Sequence, residues 1–170
     1  MTDLDFYLDA LLSGLVCGVG PGSTSDEVER ALGRQFVDDA RRHWMRRDYG
    51  LVELYFNRIE KNWICFGLTI QVHRISELGI DIIPSVLVDR YGTFATSLGV
   101  DVLVDAVSAE RSRNLVREGV TGGFVRYRLD GTNSFVHAVQ VQSEELGVCA
   151  GLEEVWSIEI GKRLFGDQQS

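Results

Sequence analysis

Val52-Glu53-Leu54-Tyr55-Phe56-Asn57 sets Val52, Leu54 and Phe56 against Glu53, Tyr55 and Asn57. After the polar turn Asn57-Arg58-Ile59-Glu60-Lys61-Asn62 the alternation resumes in Ile64, Phe66, Leu68, Ile70 and Val72. A period of two lines one face of a strand with apolar side chains. Residues 35–75 are therefore expected to form an antiparallel β-meander, with Ile64 to Val72 along one face of a long strand.

Upstream the period changes. Leu4, Leu8, Leu11, Leu12 and Leu15 recur at intervals of three and four residues, which predicts an amphipathic helix over 3–16, ended by Gly18 and Gly20-Pro21-Gly22. Ser23-Thr24-Ser25-Asp26-Glu27-Val28-Glu29-Arg30-Ala31-Leu32-Gly33 reads as a short second helix. Thr24 and Glu27 have the spacing of a capping box, acidic residues occupy the first turn, and Gly33 closes the end.

Downstream, Pro84 is expected to open a short helix or turn through Arg90, with Gly92 as its breaker. Val100, Leu103, Val104 and Val107 predict a helix over 101–112. Leu115-Val116, Phe124 to Leu129, Ser134 to Gln142 and Val155 to Ile160 read as strands, with Asp130-Gly131 as a hairpin signal. Arg58-Ile59-Glu60 before Gln71-Val72 has a loose echo in Arg128-Leu129-Asp130 before Gln140-Val141. The expected fold is α+β: two similar halves, 1–80 and 81–170, each helices followed by an antiparallel β-meander, sharing one interface or forming a single domain.

The 170 residues carry 17 Lys and Arg against 25 Asp and Glu, a net charge of −8. That balance argues against nucleic-acid or anionic-membrane binding, both of which rely on cationic surface. Leu11-Leu12-Ser13-Gly14-Leu15-Val16-Cys17 has Val16 where a lipoprotein signal needs a small residue, and Asp3, Asp5 and Asp9 precede it without any Lys or Arg. No apolar run reaches membrane-span length. Cys17, Cys65 and Cys149 are odd in number and lack a CxxC spacing, so free thiols in a bacterial cytoplasm are expected, without disulfides, metal or cofactor.

Pro21-Gly22-Ser23-Thr24 through Val28 and Gly33 resembles the glycine-hydroxyl-valine helix motif of the SmpA/OmlA-type assembly lipoproteins, whose small domain is two helices followed by a three-stranded meander. A similar unit used twice occurs in the β-lactamase inhibitor proteins, which act by binding another protein. Here the lipobox, signal peptide and inhibitor-type cysteine pairs are missing, Arg34 replaces a frequent proline, and Ala109 to Val120 lacks the motif. Asp48 to Phe56 and Ile70-Gln71-Val72-His73-Arg74 also look like strands of uncharacterised actinobacterial immunity-type proteins. Both resemblances imply a binding module rather than an enzyme.

Arg41-Arg42-His43-Trp44-Met45-Arg46-Arg47 is the densest cationic run, balanced by Asp38, Asp39 and Asp48. It is expected to be a strand with arginines outward and Trp44 and Met45 inward, in cross-strand pairs. Arg42, Trp44 and Arg46 are protein-interface candidates, because Arg and Trp often anchor interfaces. Glu153, Glu154 and Trp156 are the others; with Glu144 and Glu145 they make an acidic segment suited to a basic partner. The function expected is a non-catalytic protein-binding module of immunity or inhibitor type. The alternative is a small-molecule enzyme or ligand-binding protein with a cleft between the halves, using Cys65, His73 and His137. His43, His73 and His137 otherwise read as isolated strand histidines, and hydrolase, zinc and nucleotide motifs are absent. Exposed sheet edges leave monomer and homodimer both open.

Overall fold

A computed structural model describes residues 1–110, 113–140 and 153–161. The chain opens with α1 (Asp3–Ser13), whose N-terminus is closed by a reciprocal capping box between Thr2 and Asp5. The helix stops earlier than its leucine spacing suggests, because Gly14 adopts a left-handed φ of 74° and its N–H returns to the Ala10 carbonyl. Its buried stripe is Phe6, Tyr7, Ala10 and Leu11, with Leu4, Leu8 and Leu12 as flanks. α2 (Ser25–Leu32) carries the expected capping box of Thr24 with Glu27, and Gly33 caps its C-terminus.

Four strands follow: β1 (Val37–Ala40), β2 (Trp44–Asp48), β3 (Val52–Ile59) and β4 (Asn62–Ile70). The resemblance implied three. A helical stretch comes next, with α3 (Arg74–Leu78), a 3-10 turn (Ile80–Ile82), α4 (Ser85–Tyr91) between Pro84 and Gly92, and α5 (Val100–Ala109). β5 (Leu115–Thr121), β6 (Phe124–Leu129), β7 (Ser134–Val139) and β8 (Val155–Gly161) complete the order. The expected extension of β7 to Gln142 falls partly outside the described residues.

All eight strands form one antiparallel sheet in the order β1-β2-β3-β4-β8-β7-β6-β5. Each half of the chain supplies a four-stranded meander, and the fourth strands, β4 and β8, join them. At that seam Gly67 lies opposite Gly161, which has a φ of +129°. A Cβ on Gly161 would stand 2.6 Å from the Gly67 Cα, so the close approach requires glycine. One core spans both halves: Leu54, Phe56, Leu68 and Ile70 pack with Leu129, Val136, Ile158 and Ile160 beneath Phe6, Leu11, Val28, Leu87 and Leu103. Edge-to-face contacts of Phe6 with Tyr7, Tyr91 and Phe94 tie α1 to α4 and the segment after it.

Three local expectations are corrected. A β-bulge between Tyr55 and Phe56 shifts the phase of β4, so Cys65 pairs with Phe56 in the core layer and Phe66 no longer shares a face with Leu68 and Ile70. The strand ends at Ile70, leaving Val72 and His73 in the turn that enters α3. His43 likewise sits in the β1–β2 turn, and only His137 is a strand residue. The sequence echo aligns Arg58 on β3 with Arg128 on β6, whereas the strand that β3 mirrors in the sheet order is β7. Among the described residues no helix is long and apolar enough to cross a membrane.

Candidate functional site: the Trp44 and Trp156 face of the sheet

The helices join alternate strand residues in the core, while Glu53, Tyr55, Thr69, Phe135, Val139 and Ser157 on the opposite face lie outside that cluster. Most of these residues are nonetheless buried, and Arg74 and His73 at the start of α3 reach onto this face, to Glu53 and Trp156. Trp44 and Arg46 are on this face and half-buried, paired in register with Asn57 and Tyr55 of β3. Trp156 lies on it as well, on β8, two strands beyond β3.

The reading of β2 with arginines outward and Trp44 and Met45 inward is overturned at both Arg47 and Trp44. Adjacent strand residues point to opposite faces, so Met45 and Arg47 share the inner face and Trp44 and Arg46 the other. The Arg47 guanidinium forms a two-pronged pair with Asp38, Nε to Oδ1 at 2.8 Å and Nη2 to Oδ2 at 2.9 Å. Its Nη1 donates to the Ser25 carbonyl at 3.1 Å, and the group stacks 3.7 Å from the Phe36 ring centroid. A buried cation is tolerated here because every edge of it has a partner. Arg42 is exposed in the β1–β2 turn.

Between Trp44 and Trp156 lies a network centred on Glu53, whose side chain is only 3% exposed. Its Oε2 accepts from Tyr55 Oη and Gln71 Nε2, both at 2.8 Å, and its Oε1 from Arg74 Nη2 at 2.8 Å. Arg46 Nη1 approaches to 3.6 Å, while its Nε is buried without a hydrogen-bond partner. Arg74 also donates to both Asp48 oxygens and to the Gly50 carbonyl. Burial alone would raise the Glu53 carboxyl; the bonds from Gln71, Tyr55 and Arg74 outweigh it and hold the group below the ordinary glutamate value. Burial and that carboxylate push Tyr55 up to about 12.

His73 stacks on Trp156 with rings 3.7 Å apart and 2° from parallel, and both its backbone N–H and its Nδ1 lie 3.1 Å from the Trp156 carbonyl oxygen. Burial lowers the His73 pKa. Phe124 abuts the other side of Trp156 at 5.3 Å. On β7, His137 Nε2 is 3.4 Å from Glu159 Oε2, within ion-pair range but lacking hydrogen-bond geometry. Arg126 covers the Phe135 ring and, with Arg128, pairs with Glu118.

The residues predicted for chemistry are split by the sheet. Cys65 faces the core, its thiol 3.3 Å from the Gly67 carbonyl, and burial pushes its pKa up to about 11, away from thiolate reactivity. His137 occupies the other face. Among the described residues no three His, Cys, Asp or Glu side chains are grouped to hold a metal. Glu153 is exposed, with a φ of 64°, and Glu154 is half-buried beside it; Glu144 and Glu145 lie outside the described residues. Sequence reasoning missed Glu53, Gln71 and Arg74 as a unit. The signal was a glutamate within the apolar Leu51 to Phe56 run.

A cleft of about 690 Å³ lies beside the first meander, lined by α2's C-terminal end, the β2–β3 turn and the segment Asp81 to Ser85. Neither Cys65 nor any histidine lines it. No family model, curated protein or solved structure matches the chain.

Proposed function

We propose that the protein is a non-catalytic, cytoplasmic binding module for a protein partner, of immunity or inhibitor-like type, docking through the sheet face that carries Trp44, Arg46 and Trp156. One observation carries the reading: Trp44, Arg46 and Trp156 share that face of a single sheet, whereas Cys65 is held on the other side as an unreactive thiol. Large aromatics and arginines on a rigid sheet can anchor a partner with little loss of side-chain freedom. The net charge of −8 and the Glu153-Glu154 pair favour a basic partner, with electrostatic attraction raising the association rate. Edge strands β1 and β5 supply the pairing groups for a homodimer.

The test is capture of a stoichiometric protein from native extract by the tagged chain, followed by light scattering on the purified complex. Arg42→Glu, an exposed change, and Trp44→Ala are expected to abolish or strongly weaken capture, and 0.5 M salt to weaken it. A partner retained equally by both variants would remove this face from the reading. A chain that stays alone and gains thermal stability from small metabolites would replace it with the ligand-binding alternative.

A further inference from the structure

The cleft beside the first meander has an apolar rim that is on show. Val37 is 73% exposed and Leu78 62%, and Ile80, two residues beyond Leu78, is 56% exposed. Single exposed hydrophobics are ordinary, but Val37 and Leu78 come from separate elements and line one concavity, with Ile80 outside its lining. The floor is rigid. Gly50, with φ +85°, brings its backbone against the Ile82 carbonyl, and Leu51 N–H donates to that carbonyl at 3.1 Å.

Its charges decide what can enter. Arg74 already serves Asp48, Gly50 and Glu53, so it has little left to offer an anion. Asp48 is likewise satisfied, accepting from Arg74 and from the Gly50 N–H at 2.7 Å. Arg34 is turned to Glu29 at 3.0 Å and is largely in solvent. Asp81 is the lining charge without a partner among the described residues. An apolar wall with one uncompensated carboxylate complements an apolar group beside a cation.

We propose that this cleft receives a segment of a protein in which a leucine-like side chain is flanked by Lys or Arg. The apolar side chain lies between Val37 and Leu78, and the cation pairs with Asp81. The inference rests on the protein-binding reading but uses a different surface from the face that carries Trp44 and Trp156.

The probe is a hexapeptide alternating Leu and Lys, with two controls: Glu replacing Lys, and Ser replacing Leu. Binding is followed by amide chemical shifts of the full chain, which also report whether each variant is folded. The Leu-Lys peptide is expected to move the amides of Val37, Gly50, Asp81 and Ser85 at sub-millimolar to millimolar concentration. Leu78→Ser is expected to weaken it about tenfold, and Asp81→Asn about threefold. Both positions are exposed, so neither change disturbs the core. No shift at those amides, equal binding of the Glu peptide, or indifference to Leu78→Ser would overturn the proposal. Shifts confined to Trp44 to Arg46 would also overturn it, while leaving the Trp44 and Trp156 face standing. Loss of the captured partner's dependence on Trp44 with peptide binding intact would do the reverse.

Discussion

Two arginine-bound glutamates on the same sheet show how location sets the weight of one chemistry. Glu53 on β3 meets Arg74 and Arg46 with 3% of its side chain exposed; Glu118 on β5 meets Arg126 and Arg128 with 26% exposed. Both carboxyls are held below the ordinary glutamate value, Glu118 chiefly by its hydrogen bond from Arg128. Water can replace the arginines at Glu118. At Glu53 it cannot, so the loss of Arg74 leaves Oε1 buried without its hydrogen bond. The first cluster is therefore a structural tie between β3 and α3, and the second a solvated edge pair.

The largest expected effect is Glu53→Gln, which removes the charge facing Arg74 and should lower unfolding free energy by about 3 kcal/mol in urea titration. A loss below about 1 kcal/mol would erase the distinction between the clusters. Acid is the next lever. Because folded Glu53 binds its proton less readily than unfolded glutamate, its contribution is complete above about pH 4.3 and disappears as pH falls through its lower folded value. His73 is also lowered, so its contribution is full above about pH 6.5 and declines as pH drops below that. Melting temperature should thus fall in two stages, the upper absent in His73→Gln and the lower flattened in Glu53→Gln. A single stage unaffected by His73→Gln would show that burial does not disfavour the imidazolium at this position.

Smaller effects sharpen the contrast. Glu118→Gln should cost no more than about 1 kcal/mol in the same urea titration. Raising salt to about 1 M should remove most of that difference, since the Debye length falls to about 3 Å, but leave the Glu53→Gln deficit nearly intact. Equal salt sensitivity at both sites would mean that Glu53 is more hydrated than its burial implies.

The same division between local and distant causes governs what could be read from the letters. Helix α2 was legible at both ends, because Thr24, Glu27 and Gly33 act on backbone groups three or four residues away. Pro84 and Gly92 bracketed α4 for a similar reason. Strand periodicity located the β3–β4 hairpin and hence the meander. It failed where one residue was inserted: the bulge at Tyr55 and Phe56 turned Cys65 into the core and Phe66 away from the Leu68 face. Of the interface candidates, Trp44 and Arg46 share a face because they are two apart on a strand, whereas the reading by residue type had set Trp44 inward and Arg46 outward. Their relation to Trp156 was not legible, since β3, β4 and β8 had first to be set side by side.

By itself, then, the sequence determined an acidic α+β chain, its main helices, its strand-rich stretches and the turns at Asn57 to Asn62 and Asp130-Gly131, through propensities and hydrogen bonds that span a few residues. Tertiary structure alone decided that β4 and β8 meet, that Arg47 points inward to Asp38 and Phe36, and that Arg74 closes over Glu53. Those outcomes depend on the burial of groups separated by nine residues, as Asp38 and Arg47 are, or by far more, where desolvation and partner geometry outweigh any local preference.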